Sequence, residues 1–112
     1  STLLQLKNVI QVAAISIEDE IEGNIFYVFI ACKKNSSYLE KAANNKIYKI
    51  FGSFAIPKKI YLINELPKTR SGKILRRILR NLLKNNKINQ FDTSTLLKKS
   101  VITDIKRIIQ NN

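Results

Sequence analysis

The sequence contains no histidine, no methionine and no tryptophan, and a single cysteine, Cys32. One thiol cannot close an intrachain disulfide, and without histidine or a second cysteine the usual structural zinc sites cannot be built. Cys32 ends an apolar run and is expected to act as a small buried hydrophobe. No apolar stretch reaches the roughly 18 residues that suggest a bilayer span, and no charged-then-apolar leader opens the chain. An intracellular protein, cytoplasmic or nuclear and without a membrane anchor, is the expectation. Negative charge is scarce as well, with 8 acidic side chains against 20 basic ones and a formal net charge of +12.

That charge is unevenly placed. In residues 1–32, Lys7 stands against Glu18, Asp19, Glu20 and Glu22, a net −3, whereas residues 33–112 carry 19 basic and 4 acidic side chains, a net +15. Such a field attracts phosphates of any kind, nucleic acid included. The chain is also rich in Ile, Lys and Asn, which have A/T-rich codons, so part of its basicity reflects composition alone. At 112 residues it has the length of one ordinary domain with one modest core.

In chain order, residues 1–7 read as the end of a helix, Val9 to Ile17 as a strand, and Glu18 to Glu22 with Gly23-Asn24 as a turn. Ile25 to Cys32 is apolar throughout, as in a central strand covered on both faces. Ser37 and Glu40 have capping-box spacing, and Leu39, Ala43, Ile47 and Ile50 give the following helix a buried stripe that Gly52 ends. Phe54 to Pro57 reads as a loop and Lys59 to Ile63 as a short third strand. The aromatic residues lack the paired arrangement of an RNA-binding sheet. Asn85-Asn86-Lys87 interrupts the pattern after Lys84. Near the end, Val101, Ile102, Ile105, Ile108 and Ile109 mark a helix over about 100–110, with Asp104 early and Arg107 late. The expected fold is α+β, a small three-stranded sheet covered by helices.

Chemistry concentrates in the loop 66–73 and the segment that follows it. Pro67 fixes its own φ and biases Leu66 towards extended backbone, and Gly72 can adopt φ values closed to other residues. At about 100° per residue, Ile74, Leu75, Ile78, Leu79, Leu82 and Leu83 share one half of a helix over 74–84, while Arg76, Arg77, Arg80, Asn81 and Lys84 fill the other. On periodicity alone the basic half is a solvated face. Arg76 and Arg77 in a first helical turn oppose the helix dipole, and Ser71 is a candidate cap without a partnering Glu or Gln. Rules broken in this way often mark a functional site. Gly72-Lys73 does not complete a nucleotide-binding phosphate loop, because Pro67 stands where the first Gly is needed and Ile74 where Ser or Thr is needed.

The run Leu66-Pro67-Lys68-Thr69-Arg70-Ser71-Gly72-Lys73-Ile74-Leu75-Arg76-Arg77-Ile78-Leu79-Arg80 resembles the C-terminal signature of the adenylate-forming acyl-CoA synthetases. Asp92-Thr93-Ser94-Thr95-Leu96 is similar to the acetyl-CoA synthetase branch. The resemblance runs from about residue 1 to Leu96. It implies that residues 1–112 are the mobile C-terminal lid of a larger enzyme, whose large N-terminal adenylation domain is not in this chain and would be its main partner. It further implies an AMP-forming acetate–CoA ligase: a carboxylate attacks the α-phosphate of ATP, and CoA then displaces AMP from the acyl-adenylate. By the same resemblance Lys73 is the catalytic residue of adenylation, Ser71 and Gly72 shape the loop that supports it, and Ile74, Ile78 and Leu82 anchor its helix. Arg76, Arg77 and Arg80 are given no catalytic role.

A positioned ammonium suits that chemistry, since negative charge develops around the α-phosphate and carboxylate oxygens. ATP, AMP and CoA are expected as substrates or products, with Mg2+ accompanying ATP but bound by no assignable residue here. Relatives are switched off by acetylation of the matching lysine, which makes an acetyltransferase and a deacetylase candidate partners. The chain departs from its relatives at Leu6-Lys7, at Ile17-Glu18-Asp19 and at Tyr48, flanked by Lys46 and Lys49. No metal ligand and no CoA contact is therefore carried over. A basic nucleic-acid-binding module and a non-catalytic interaction domain stand as the alternative readings.

Overall fold

The computed structural model describes residues 3, 8–33, 37–52 and 56–111. They form three strands and four helices: β1 Val9–Asp19, β2 Gly23–Cys32, α1 Ser37–Phe51, β3 Lys59–Ile63, α2 Arg76–Leu83, α3 Gln90–Thr95 and α4 Ser100–Gln110. The chain divides into two compact units, Ser1–Asn64 and Glu65–Asn112. The first holds the sheet and α1. The second holds the loop 66–73 and the remaining helices.

The sheet has the order β1-β2-β3, with β1 antiparallel and β3 parallel to β2. The expected acidic turn is shorter than its composition suggested. Glu18 and Asp19 still pair with Asn24 and Gly23, so only residues 20–22 turn the chain. Asp19 explains this extension, because its Oδ2 accepts the backbone N–H groups of Glu22 at 2.9 Å and Ile21 at 3.0 Å. The turn thus takes its hydrogen bonds from a side chain rather than from further backbone.

Period-two alternation sorts the strand residues into two faces. Val28, Ile30, Cys32, Ile60 and Leu62 pack with Leu39 and Ala43 of α1, and Val12 and Ile47 lie partly buried against them. On the opposite face Ala13, Ile15, Phe29, Ala31, Tyr61 and Ile63 are also buried. A central strand apolar at every position is what burial on both faces requires, and β2 from Val28 to Cys32 meets that condition. Phe29 stacks on Tyr61 at a centroid distance of 5.2 Å. Cys32 is buried, its Sγ 3.8 Å from the Ile63 carbonyl, and desolvation pushes the thiol pKa up. It is the small inert hydrophobe the sequence suggested.

α1 ends at Gly52, whose φ of +78° and N–H bond to the Tyr48 carbonyl form a left-handed cap. The expected helix end over residues 1–7, Leu3 apart, the loop 54–57 at residues 54 and 55, and the Ser37 side chain of the proposed capping box lie outside the described residues. In the second unit, α2 ends in a Schellman motif. Asn85 has φ +57°, the Asn86 N–H donates to the Asn81 carbonyl, and the Asn85 N–H donates to that of Leu82. Asp104 stands in the second turn of α4 rather than its first, and pairs with Arg107 at 3.9 Å.

Two outcomes follow from the first unit. Phe29→Ala removes the largest fully buried side chain of β2 and should lower unfolding free energy by about 3–5 kcal/mol, read from denaturant melts, while Ala14→Val on exposed backbone should stay within about 0.5 kcal/mol. The two turn amides, Glu22 first and Ile21 second, hold the Asp19 carboxyl below its usual range, with Lys58 adding attraction. A lowered folded-state pKa gives stability that is present above the unfolded value, near 3.9, and lost as pH falls through the folded one. Asp19→Asn should therefore be less stable than the parent at neutral pH, and the gap should close in acid. A gap independent of pH would mean that the charge on Asp19 plays no part.

Candidate active-site hairpin

Residues 66–75 fold into a miniature hairpin rather than an open loop. The Thr69 N–H donates to the Lys73 carbonyl at 2.9 Å, the Gly72 N–H donates to the Thr69 carbonyl at 2.9 Å, and the Leu75 N–H donates to the Pro67 carbonyl at 2.9 Å. Lys68 pairs with Ile74 across the two arms. Arg70, Ser71 and Gly72 form the three-residue tip, and Gly72, at φ +92°, occupies the left-handed position such a tip demands. A Cβ at Gly72 would meet no atom within 4 Å, so the requirement there is conformational and not one of space.

Thr69 does more than pair its backbone. Its Oγ1 accepts the Lys73 N–H at 3.1 Å and lies 2.9 Å from the Ser71 hydroxyl. The backbone amide of Lys73 and the side chain of Ser71 are thus tied to one hydroxyl. The sequence reading placed Ser71 at a helix cap. Instead α2 begins at Arg76, two residues later than the wheel over 74–84 suggested, with Leu75 at its N-cap and no side-chain cap bond. Hairpin pairing of Ile74 takes precedence over helical periodicity, since Lys68 claims that backbone. The buried face of α2 is Ile78, Leu79 and Leu82, and Ile74 is half-buried in the hairpin arm.

Leu66 and Pro67, at the base, are buried, whereas Arg70, Ser71, Gly72 and Lys73 at the tip are exposed. The hairpin therefore carries the Lys73 side chain outward from a seated foot. Lys68, Arg70 and Arg76 add positive charge nearby in sequence. Beside the base, Glu65, Leu66, Lys68, Leu97, Lys98 and Val101 line a cavity of about 200 Å³. Ligand pockets run to roughly 300–1,000 Å³, so this cavity is too small for a nucleotide. The hairpin supplies a side chain rather than a pocket.

The structure brings the second motif onto the first. Thr69 bridges to Leu96 as an antiparallel neighbour, and the Leu97 N–H donates to the Lys68 carbonyl at 2.9 Å. Leu96 directly follows α3, a helix of six residues capped by Asn89, whose Oδ1 accepts the Phe91 N–H at 2.7 Å. Sequence reading missed α3 because six residues cannot display a helical period. The Asn89 cap was its legible signal.

Asp92, on α3, is 2 % exposed, and its Oδ2 lies 3.6 Å from Nε of Arg77 on α2. Neither residue was singled out for a role in sequence. Among the described residues, Asp92 is the buried charged side chain, and its Oδ2 has no hydrogen-bond partner. No cluster of three or more His, Cys, Asp or Glu side chains placed to hold a metal occurs among the described residues. No helix there is long and apolar enough to cross a membrane.

Residues 1–73 match the family described as AMP-binding enzyme C-terminal domain. The chain is 38 % identical over 107 residues to an acetyl-coenzyme A synthetase of Penicillium chrysogenum, covering 94 % of this chain and 16 % of the relative. It is 37 % identical over 113 residues to an acetyl-coenzyme A synthetase of Coprinopsis cinerea, covering 95 % of this chain and 17 % of the relative. It thus spans about one sixth of the length of these curated relatives. In structure it is similar to an acetoacetyl-CoA synthetase from Streptomyces lividans, with a TM-score of 0.74, 12 % identity, and coverage of 98 % of this chain and 17 % of the other, which establishes likeness of fold. With the family matched over well more than half of its residues, the chain belongs to the AMP-binding enzyme C-terminal domain family.

Proposed function

We propose that this chain is the C-terminal part of an AMP-forming acetate–CoA ligase, in which Lys73 serves the adenylation half-reaction. The observation that carries the reading is the hairpin. Its foot is buried, its tip is exposed, and one lysine leaves it next to a backbone fixed by three internal hydrogen bonds. The names of the relatives matched over most of this chain support the same activity. Acetate as the acid rests on those names.

In this reading the chain acts as a lid over a larger N-terminal domain that binds ATP and the acid. Attack of the acetate oxygen on the α-phosphate forms the acyl-adenylate and releases pyrophosphate, and negative charge builds on the oxygens around phosphorus. A lysine ammonium held at a set position stabilises that charge without reorganising at the moment of reaction. Excluding water strengthens the interaction. CoA thiol then displaces AMP, a step in which Lys73 has no part. Magnesium enters with ATP, and no residue of this chain is assigned to it. ATP and CoA are supplied within the cell, so an intracellular location accompanies this reading.

The exposed position of Lys73 also leaves it open to a lysine acetyltransferase. Acetylation removes the charge on which the adenylation role depends, and a deacetylase restores it.

In a full-length ligase carrying this C-terminal part, Lys73→Ala should lower acetate-dependent ATP–pyrophosphate exchange by about a hundredfold or more, about 2.7 kcal/mol, and leave thioester formation from preformed acetyl-adenylate intact. Unchanged exchange would overturn the assignment. Gly72→Ala must hold φ near +90° on a residue with a Cβ, at a cost of about 1–2 kcal/mol. Exchange should fall less than for Lys73→Ala, and Gly72→Asn, which tolerates the left-handed region better, should fall less still.

A further inference from the structure

The buried carboxylate of Asp92 is costly as it stands. Moving such a group out of water costs several kcal/mol unless a partner and hydrogen bonds compensate. Yet its Oδ2 has no hydrogen bond, and its paired cation, Arg77, keeps 66 % of its side chain exposed. For stability alone, an apolar side chain at this position would serve as well. What the carboxylate does supply is a fixed point near α2, where Arg76 and Arg77 open the helix with no acidic residue in the first turn.

The position of Asp92 in α3 gives that point its use. Leu96 follows it by four residues, on the same side of the helix, and is likewise buried. Leu96 and Leu97 hold the first arm of the Lys73 hairpin, through the Thr69 bridge and the Lys68 carbonyl. Arg77 lies four residues beyond Lys73, where the second arm has passed into α2. α3 therefore fastens both arms, one through its end and the other through its carboxylate.

Building on the adenylation role of Lys73, we infer that Asp92 is a positioning residue: paired with Arg77, it clamps α3 against α2 and so fixes where the Lys73 hairpin points. It touches no reacting atom in this scheme and acts through Arg77 and Leu96. A six-residue helix has little stability of its own. Without the ion pair α3 loosens, and both arms lose their common anchor. Misplacement of a catalytic group by about 1 Å can cost on the order of a hundredfold in rate. The expected loss falls on the half-reaction that uses Lys73.

The test uses the full-length ligase and compares Asp92→Asn, Arg77→Ala, the double variant and Lys73→Ala in both half-reactions. Asp92→Asn keeps the shape and removes the charge. It should lower acetate-dependent ATP–pyrophosphate exchange about tenfold or more while thioester formation from preformed acetyl-adenylate stays within about twofold of the parent. Arg77→Ala leaves the buried carboxylate without a cation and should lower exchange at least as far. In the double variant the losses should not multiply, because each single change already breaks the same contact.

Three results would overturn the proposal: exchange unchanged in Asp92→Asn, both half-reactions falling together, as a folding defect would make them, or losses that multiply in the double variant. Lys73→Ala separates this failure from failure of the underlying reading. If Lys73→Ala abolishes exchange and Asp92→Asn does not, the clamp alone is wrong. If Lys73→Ala leaves exchange intact, the adenylation role itself is wrong.

Discussion

The second unit is organised by the pairing of Thr69 with Lys73. One residue supplies an N–H, a carbonyl and a hydroxyl to the turn that carries the lysine, receiving Gly72 and Lys73 amides and giving its own amide to the Lys73 carbonyl. Gly72 makes the closure possible by standing in the left-handed region. The outer edge of Thr69 then takes Leu96 as its neighbour. The start of α2 at Arg76, the exposure of the tip and the seating of α3 all follow from this one short register.

The two units solve different problems. In the first, apolar strands and α1 enclose a core with no buried charged side chain among the described residues, and burial pushes the pKa of its thiol up. In the second, a short hairpin carries an exposed cation. Burial of Leu66 and Pro67 seats the foot but cannot fix the direction of a tip. Hydrogen bonds between near neighbours do that, since they are directional and each restricts a few dihedral angles. A longer flexible loop of the same composition would offer the same charge with no fixed origin.

Much of this was legible in the sequence. The third strand was readable to the residue at Lys59–Ile63, and the apolar run before Cys32 marked the doubly covered strand. Gly52 and the Asn85-Asn86 pair marked two helix ends through their tolerance of positive φ. Lys73 stood out through its motif. What escaped was decided by particular pairings rather than by periodicity or composition. Ile74 has helical spacing, yet Lys68 draws it into a strand arm. Ser71 has the chemistry of a cap, yet Thr69 occupies its hydroxyl. The burial of Asp92 depends on how α3 meets α2, which no local pattern encodes.

The open space around Gly72 has a stereochemical corollary. Its φ of +92° is awkward for an L residue but natural for a D residue, whose allowed regions are the mirror image. An ordinary Cβ built there would meet no atom within 4 Å, so crowding is not what excludes other residues. A semisynthetic chain bearing D-alanine at position 72 would thus keep the turn while restricting the unfolded backbone. Chirality, rather than size, is what reserves this position for glycine.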